Sequence, residues 1–500
     1  MLKMPKKKII CLALSILCML AYLNTLDSHF VADDIPAITM NPELLFPWRF
    51  WMEPASLLNS LNLLIAGHNP FTYHLTSVLL HALNTILAFF FLSIFFGLEP
   101  SFLGALIFAV HPIHTEAVSW ISGKPYLILF AFTLGNTLLY QRAVKEAKRL
   151  RPIAYLFVLL IFYYMTIRYY TYYLFPFLLI LLDLTLERAR RNWRLWLPFF
   201  ILAGIRFAGL RVALYNRASF MDSLGAETIK SYIYAIYSFY SHLWLLLWPQ
   251  KLTLFHEIGP IPVSIFKYGL LSLIPVLFSL FFAFKKAREL FLGLGIFIIF
   301  LSPTYSPIPL SSLIAERYIY LPSLSLSVFM AYLYQRYTNK DARLRKYLVF
   351  IMIAIISAYT VRTIFRNEDW RNPERFWAQV ARLSVNNWQA HSNMGFIYLT
   401  KGRLKEAINE YEKAIRLYPK SADLYNNLAV AYHKAGKVAE AEYYFQKALE
   451  VNPDSAYAHI NLAIIYCRQS KSSLAIQHYD KAVRLGYKNI PQELLEKLKP

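Results

Sequence analysis

Two adjacent carboxylates, Asp33 and Asp34, stand in HFVADDIPAITMNP just after the first apolar run of the chain. Neighbouring side chains cannot both face one point on a regular helix, but in an irregular loop one can act while the other is held by a cation or backbone donors. Two close like charges also raise one pKa, which suits a base that must accept a proton. The alternative is an Asp pair that only caps a short interfacial helix. A second group follows in AVHPIHTEAVSWISGK, where His111, His114 and Glu116 fall within six positions and Lys124 closes the segment. Imidazole and carboxylate at a membrane surface can bind a divalent cation such as Mg or Mn, or a diphosphate-like headgroup. Asp34, His111 and His114 are the residues offered as metal ligands. In SSLIAERYIYLPSLSLS, Arg317 can fork onto a lipid-linked phosphate, or pair structurally with Glu316. Arg168 in IRYYTYYLF, and His256 with Glu257 in LTLFHEIGP, are further outer-surface candidates.

These residues need elements that hold them at a membrane face, and the composition supplies such elements. Of 500 residues 57% are hydrophobic and only 16% charged, against about 25% charged in an average soluble domain. The net charge of +22 is concentrated in residues 1–365, which hold 32 Lys and Arg against 16 Asp and Glu. That distribution reads as membrane-flanking charge and not as a nucleic-acid footprint. The three cysteines, Cys11, Cys18 and Cys467, are too few and too scattered for a disulfide framework or a thiolate metal site.

The N-terminal MLKMPKKK and the run after it read as a retained signal anchor. Apolar runs follow near 73–97, 101–111, 117–140, 153–167, 174–186, 195–214, 231–249, 265–284, 291–302, 318–335 and 347–365. Pro112 should break or kink the run that ends at Val110. Basic clusters at Lys3–Lys8, 141–151, 187–194, 285–289 and 335–346 are placed in the cytoplasm, while 27–72 holds one base, Arg49, against five acids and faces outside. Parity then requires one run between 187–194 and 285–289 not to cross. The Tyr- and Trp-rich run at 231–249 is chosen, with the run bearing Arg206 and Arg211 second, leaving about eleven spans.

Residues 388–421, 422–455 and 456–489 repeat with a period of 34. In register, Met394 aligns with Leu428 and Leu462, Gly395 with Ala429 and Ala463, and Tyr398 with Tyr432 and Tyr466. Ala407, Ala441 and Ala475, then Tyr411, Phe445 and Tyr479, and finally Ala414, Ala448 and Ala482 complete six columns. This is the tetratricopeptide pattern of paired helices, with a concave surface able to hold a peptide. The expected fold is all-α: a polytopic membrane domain at 1–365, a connector and lead-in helix at 366–387, a tetratricopeptide α-solenoid at 388–489, and a tail or capping helix at 490–500. Parity places the repeats outside the cytoplasm.

The order ADD, GHNPFTYHLTSVLLHALN, FAVHPIHTEAVSWISGK, AERYIYLPS and DWRNPERFW running into repeats resembles the transmembrane and tetratricopeptide repeat glycosyltransferase family, in a prokaryotic-type member. The resemblance covers nearly the whole chain. It implies a GT-C fold and transfer of a sugar, typically mannose, from a polyprenyl-phosphate donor to Ser or Thr of a protein acceptor at the outer membrane face. An acidic residue of the ADD loop would be the base, carried here by Asp33 or Asp34, and Glu116 falls in the family's HP-x-H-x-E segment. Arg317, with Lys124, Arg168, His111 and His114, would neutralise the departing phosphate. The chain departs from the family pattern at Glu53 and Pro54, where relatives often read Arg-Pro. It departs again at Lys124 to Tyr126, where they read Arg-x-Asp, and at Arg168 and Tyr169, where they read Ser-Lys.

Three functions compete. The leading one is a membrane glycosyltransferase at the prokaryotic inner membrane. The second is a catalytically inactive membrane-anchored scaffold for envelope assembly, for which the departures provide a motive. A transporter is disfavoured, because the span centres lack paired charges or an internal duplication.

Overall fold

Long stretches of Leu, Ile and Phe satisfy their backbone hydrogen bonds within the segment when no water is at hand, and they do so here as helices. The computed structural model describes residues 6–50, 53–145, 151–222, 228–254, 256, 271, 273–305, 314–338 and 342–488, and no strand occurs among them. The chain divides into two units at Asn372 and Pro373.

In the first unit each apolar run lies on a helix where it is described. Pro70–Leu92, Ile121–Val144 and Arg343–Trp370 are long and apolar enough to cross a membrane. Leu98–Val110 and Pro112–Ser119 together form a fourth candidate, bent by 48°. Pro112 causes the bend as expected, since its ring removes a donor and the His111 side chain accepts from the Ile113 N–H to cap the new turn. Shorter apolar helices include Pro54–Ala66, Pro152–Arg168 and Tyr170–Thr185. Several helices turn apolar side chains outward: Leu277, Phe278 and Phe281 on Leu273–Lys286, and Phe350 and Phe365 on Ala342–Asn367. Faces of this kind suit hydrocarbon and not water. Asn69 caps Pro70–Leu92 by accepting from the Phe71 N–H, with Pro70 at the first helical position.

The acidic segment at 27–72 is more ordered than an open loop where it is described. Short turns at Ile35–Thr39, Pro42–Leu45 and Pro47–Phe50 lead into the helix Pro54–Ala66. Ile38, Leu44, Leu63, Tyr73 and Ile121 bury together and fasten this segment to the two membrane helices behind it.

The second unit opens with Pro373–Leu383 and continues as the pairs Trp388–Thr400 with Leu404–Leu417, Ala422–Lys434 with Val438–Val451, and Ala456–Arg468 with Ser472–Arg484. The small-residue columns have a steric cause: a Cβ at Gly395 would lie 2.8 Å from the Tyr411 ring. Gly402 and Gly436 take positive φ between the paired helices, and Ser470 takes the same left-handed conformation in the third repeat. Residues 490–500 lie outside the described residues.

Candidate active site

Ala32 adopts φ +49°, a left-handed conformation unusual for a residue with a side chain. This kink sends the next two carboxylates in different directions: Asp33 is exposed, and Asp34 is fully buried. The Oδ1 of Asp34 accepts from the Ser122 N–H at 2.8 Å and from the Ser122 hydroxyl at 2.6 Å, while Oδ2 accepts from the Val31 N–H at 3.3 Å. Lys124, two residues beyond Ser122, is buried and its Nζ lies 5.4 Å from the Tyr73 ring centroid. Its Nζ has no hydrogen-bond partner among the described residues, and its charge acts on Asp34. One carboxylate of the pair is thus held and the other stands in the open.

Burial pushes the Asp34 carboxyl up from 3.8 to about 6, against the Ser122 and Val31 hydrogen bonds and the Lys124 ammonium, which pull it down. A raised folded-state pKa has a definite sign in stability. The contribution is complete well below 3.8, where both states are protonated, and it is lost as pH rises from there through about 6. A shift of this size corresponds to about 3 kcal/mol. Asp34→Asn, which cannot ionise, should gain apparent melting temperature relative to wild type as pH goes from 4.5 to 7.5. Its turnover at pH 7.5 should nevertheless fall, because the Val31 bond and the charge facing Lys124 are gone. Parallel melting curves at the two pH values would refute the assignment.

The segment after the bend carries the second group. Glu116 is buried and forms an ion pair with Arg317: its Oε1 meets the guanidinium Nη1, and its Oε2 accepts from the Arg317 backbone N–H at 3.0 Å. Gly123 lies so close to the Glu116 and Ala117 backbone that a Cβ would be 2.8 Å and 2.7 Å from their carbonyl oxygens. Contact therefore runs without a break from the Asp34 loop through Ser122 and Gly123 to Glu116 and Arg317. Arg317 lines a cavity of about 50 Å³ with Tyr126, Tyr170, Tyr318 and Tyr320.

The sequence-predicted residues are not all gathered here. His111 accepts from the Ile113 N–H through Nδ1, which fixes Nε2–H as donor to the Leu246 carbonyl at 3.0 Å. His114 Nε2 meets the Ser323 hydroxyl at 2.7 Å. Both rings are buried, and Nδ1 of His114 has no hydrogen-bond partner among the described residues. Among the described residues no group of three or more His, Cys, Asp or Glu is arranged around a metal position, and Asp34, His111 and His114 do not converge. As placed, these three side chains do not form a single donor set. Arg168 ends the helix Pro152–Arg168 in an exposed position, where Glu53 and Tyr169 are also neighbours, so two of the departures from the family pattern meet. The third, Tyr126, packs 6.1 Å from the Tyr318 ring beside Arg317. Glu316 does not pair with Arg317 but reaches Arg366 and His256. Glu257 lies outside the described residues.

Sequence reasoning passed over Ser122, and over His81 and Asn84. His81 Nδ1 lies 2.7 Å from the Tyr320 hydroxyl and its Nε2 lies 2.9 Å from the Ala109 carbonyl; Asn84 reaches the same hydroxyl at 3.1 Å. Polar residues three apart on one face of a membrane-length helix were the available signal. Behind this layer an apolar groove of about 560 Å³ opens among Leu246, Val276, Leu294, Phe297, Leu326 and Phe329. Leu246 and Phe297 pack in one cluster with Ile113, Ile314 and Ile319, which joins the groove to the segments bearing Glu116 and Arg317.

An all-helical unit with membrane-length apolar helices, carrying a buried Arg and an acidic loop, and followed by stacked helix pairs, defines a membrane-type protein with a tetratricopeptide domain. Residues 395–436 match the family model described as TPR repeat, and residues 420–487 that described as tetratricopeptide repeat. Along most of its length the chain is similar to protein O-mannosyl-transferases. It is 26% identical to human protein O-mannosyl-transferase TMTC4, over 81% of this chain and 65% of the relative. It is 23% identical to mouse TMTC3, over 80% and 50%, and 26% identical to human TMTC1, over 81% and 54%. The chain thus spans between half and two thirds of the length of these relatives.

Proposed function

We propose that this protein is a protein O-glycosyltransferase of the membrane, of GT-C type with about eleven crossings. It moves mannose or another hexose from a polyprenyl-phosphate donor to a hydroxyl of a protein acceptor. The reaction takes place on the extracytoplasmic face of a prokaryotic inner membrane, where the repeats offer a surface for the acceptor. The observation that supports this reading is the unbroken contact from the acidic loop to Arg317, along which a carboxylate pair and a buried guanidinium share one scaffold.

Asp33, exposed on the kinked loop, takes the proton from the acceptor hydroxyl as its oxygen attacks the anomeric carbon. The bond from that carbon to the phosphate oxygen breaks, and the charge left on the phosphate is met by the planar guanidinium of Arg317. Glu116 holds Arg317 in place, and Asp34 with Ser122 and Lys124 holds the loop. The tyrosines around Arg317 offer faces and hydroxyls to a sugar, and the apolar groove takes the polyprenyl chain amid membrane lipid. No step passes through a metal.

Purified full-length protein in lipid, incubated with radiolabelled polyprenyl-phosphate sugars and a Ser/Thr-rich acceptor, should label the acceptor. The loss of basic groups at Glu53 and Tyr169 favours the scaffold as second reading; absence of transfer from every donor, with the chain folded and inserted, would establish that reading in place of the first.

A further inference from the structure

The end of the last membrane helix, Ala342–Asn367, and the turn Glu368–Trp370 after it touch all three segments that make up the candidate site. Asn367 donates to the Ala21 carbonyl at 3.0 Å and to the Asn24 side chain at 2.9 Å, and the Arg371 carbonyl accepts from the His29 N–H at 2.8 Å. These bonds grip the base of the acidic loop. Ser119, within the segment that carries Glu116, donates to Asn367 at 3.0 Å. Arg366 pairs with Glu316 at 3.4 Å and with Asp369 at 2.8 Å.

The rings between these groups form an ordered stack. The Arg317 guanidinium lies 5.6 Å from the Trp120 centroid, Trp120 stacks on Trp370 at 6.1 Å with 23° between planes, and the Arg366 guanidinium lies 5.5 Å from Trp370. Two cations bracket two indoles, and each cation has its own carboxylate, Glu116 or Glu316. Trp370 and Arg366 are essentially without solvent exposure. A buried arginine is costly, and a packing role alone would be met as well by apolar side chains. An arrangement of planar cations on planar rings instead specifies an orientation, since both kinds of contact depend on the ring face.

We infer that Arg366 and Trp370 are positioning residues for Arg317, keeping the Trp120 ring in the plane against which the donor-binding guanidinium rests. The inference builds on the reading of Arg317 as the phosphate-binding cation. Trp370 stands three residues before the unit boundary at Pro373.

The test uses full-length protein in nanodiscs, with equilibrium binding of radiolabelled polyprenyl phosphate, donor and acceptor KM, and melting temperature measured for Trp370→Leu, Trp370→Phe, Arg366→Lys and Arg317→Gln. Misplacement of a positioned group by about 1 Å costs on the order of a hundredfold. Trp370→Leu and Arg366→Lys should therefore weaken polyprenyl-phosphate binding by about tenfold to a hundredfold, with acceptor KM unchanged. Trp370→Phe, which keeps a stacking face, should recover most of the loss. If Trp370→Leu does not accumulate in the membrane, Arg366→Lys decides, because it keeps the charge and loses the plane. Unchanged binding in Arg366→Lys, or equal loss in the Phe and Leu variants, overturns the positioning role while Arg317→Gln still weakens binding. Unchanged binding in Arg317→Gln overturns the reading of Arg317 itself, and the inference with it.

Discussion

Asp33→Asn is expected to lose transfer by about a hundredfold to ten-thousandfold, the usual contribution of a general base, while membrane insertion and the melting temperature stay at wild-type values. The expectation of an intact fold follows from exposure: Asp33 stands exposed after the Ala32 kink, and among the described residues its carboxylate makes no hydrogen bond or ion pair. Asn conserves volume and removes only the ability to take a proton. Asp34→Asn gives the contrast, since Asp34 is the carboxylate that fastens the loop to Ser122. It should lower turnover less, about tenfold, as expected of a residue that acts through its neighbour's position. Single-turnover assays with a polyprenyl-phosphate sugar separate the two. Full activity in Asp33→Asn alongside an inactive Asp34→Asn would exchange their roles; full activity in the double variant would remove both from the chemistry.

The contrast between neighbours marks where sequence reading stops. That adjacent side chains point apart follows from local sterics, but which carboxylate is held depends on Ser122, 88 positions away. The same limit applies to Glu316 and Arg317. As neighbours they look like a pair, yet the partner of Arg317 is 201 residues distant and that of Glu316 is 50 residues distant. His111 and His114 carry the residue types of a metal or phosphate site, and what the sequence does not give is where each Nε2 goes: to the Leu246 carbonyl and to the Ser323 hydroxyl. Features with a local physical cause are legible: the bend at Pro112, the helices on the apolar runs, and the repeats whose small columns make room for Tyr411 and its equivalents. The helix Pro54–Ala66 escaped because its segment is flanked by prolines and acids, which signal a loop, while its stability comes from Leu63 packing on Tyr73 and Ile121.

The ion pair of Glu116 and Arg317 allows structure and function to be separated by a double-mutant cycle. Removing one partner of a buried pair leaves the other charge uncompensated and typically costs about 3–5 kcal/mol, whereas neutralising both is often close to neutral. Both groups are buried here, and Glu116 spends one oxygen on the Arg317 backbone N–H, a bond that Gln retains through its own carbonyl. Glu116→Gln and Arg317→Gln should therefore each lower the melting temperature strongly, and the double variant should recover most of that loss. Activity should behave differently. In the proposed mechanism Arg317 is the cation that meets the departing phosphate, so the double variant should remain as inactive as Arg317→Gln alone despite its recovered stability. Glu116→Gln, measured below its melting temperature, should retain part of the activity because the guanidinium is still present on the Trp120 face. Recovery of transfer together with stability in the double variant would show that Arg317 is a structural partner and not the phosphate-binding group, and the search for that group would move to Lys124 and Arg168.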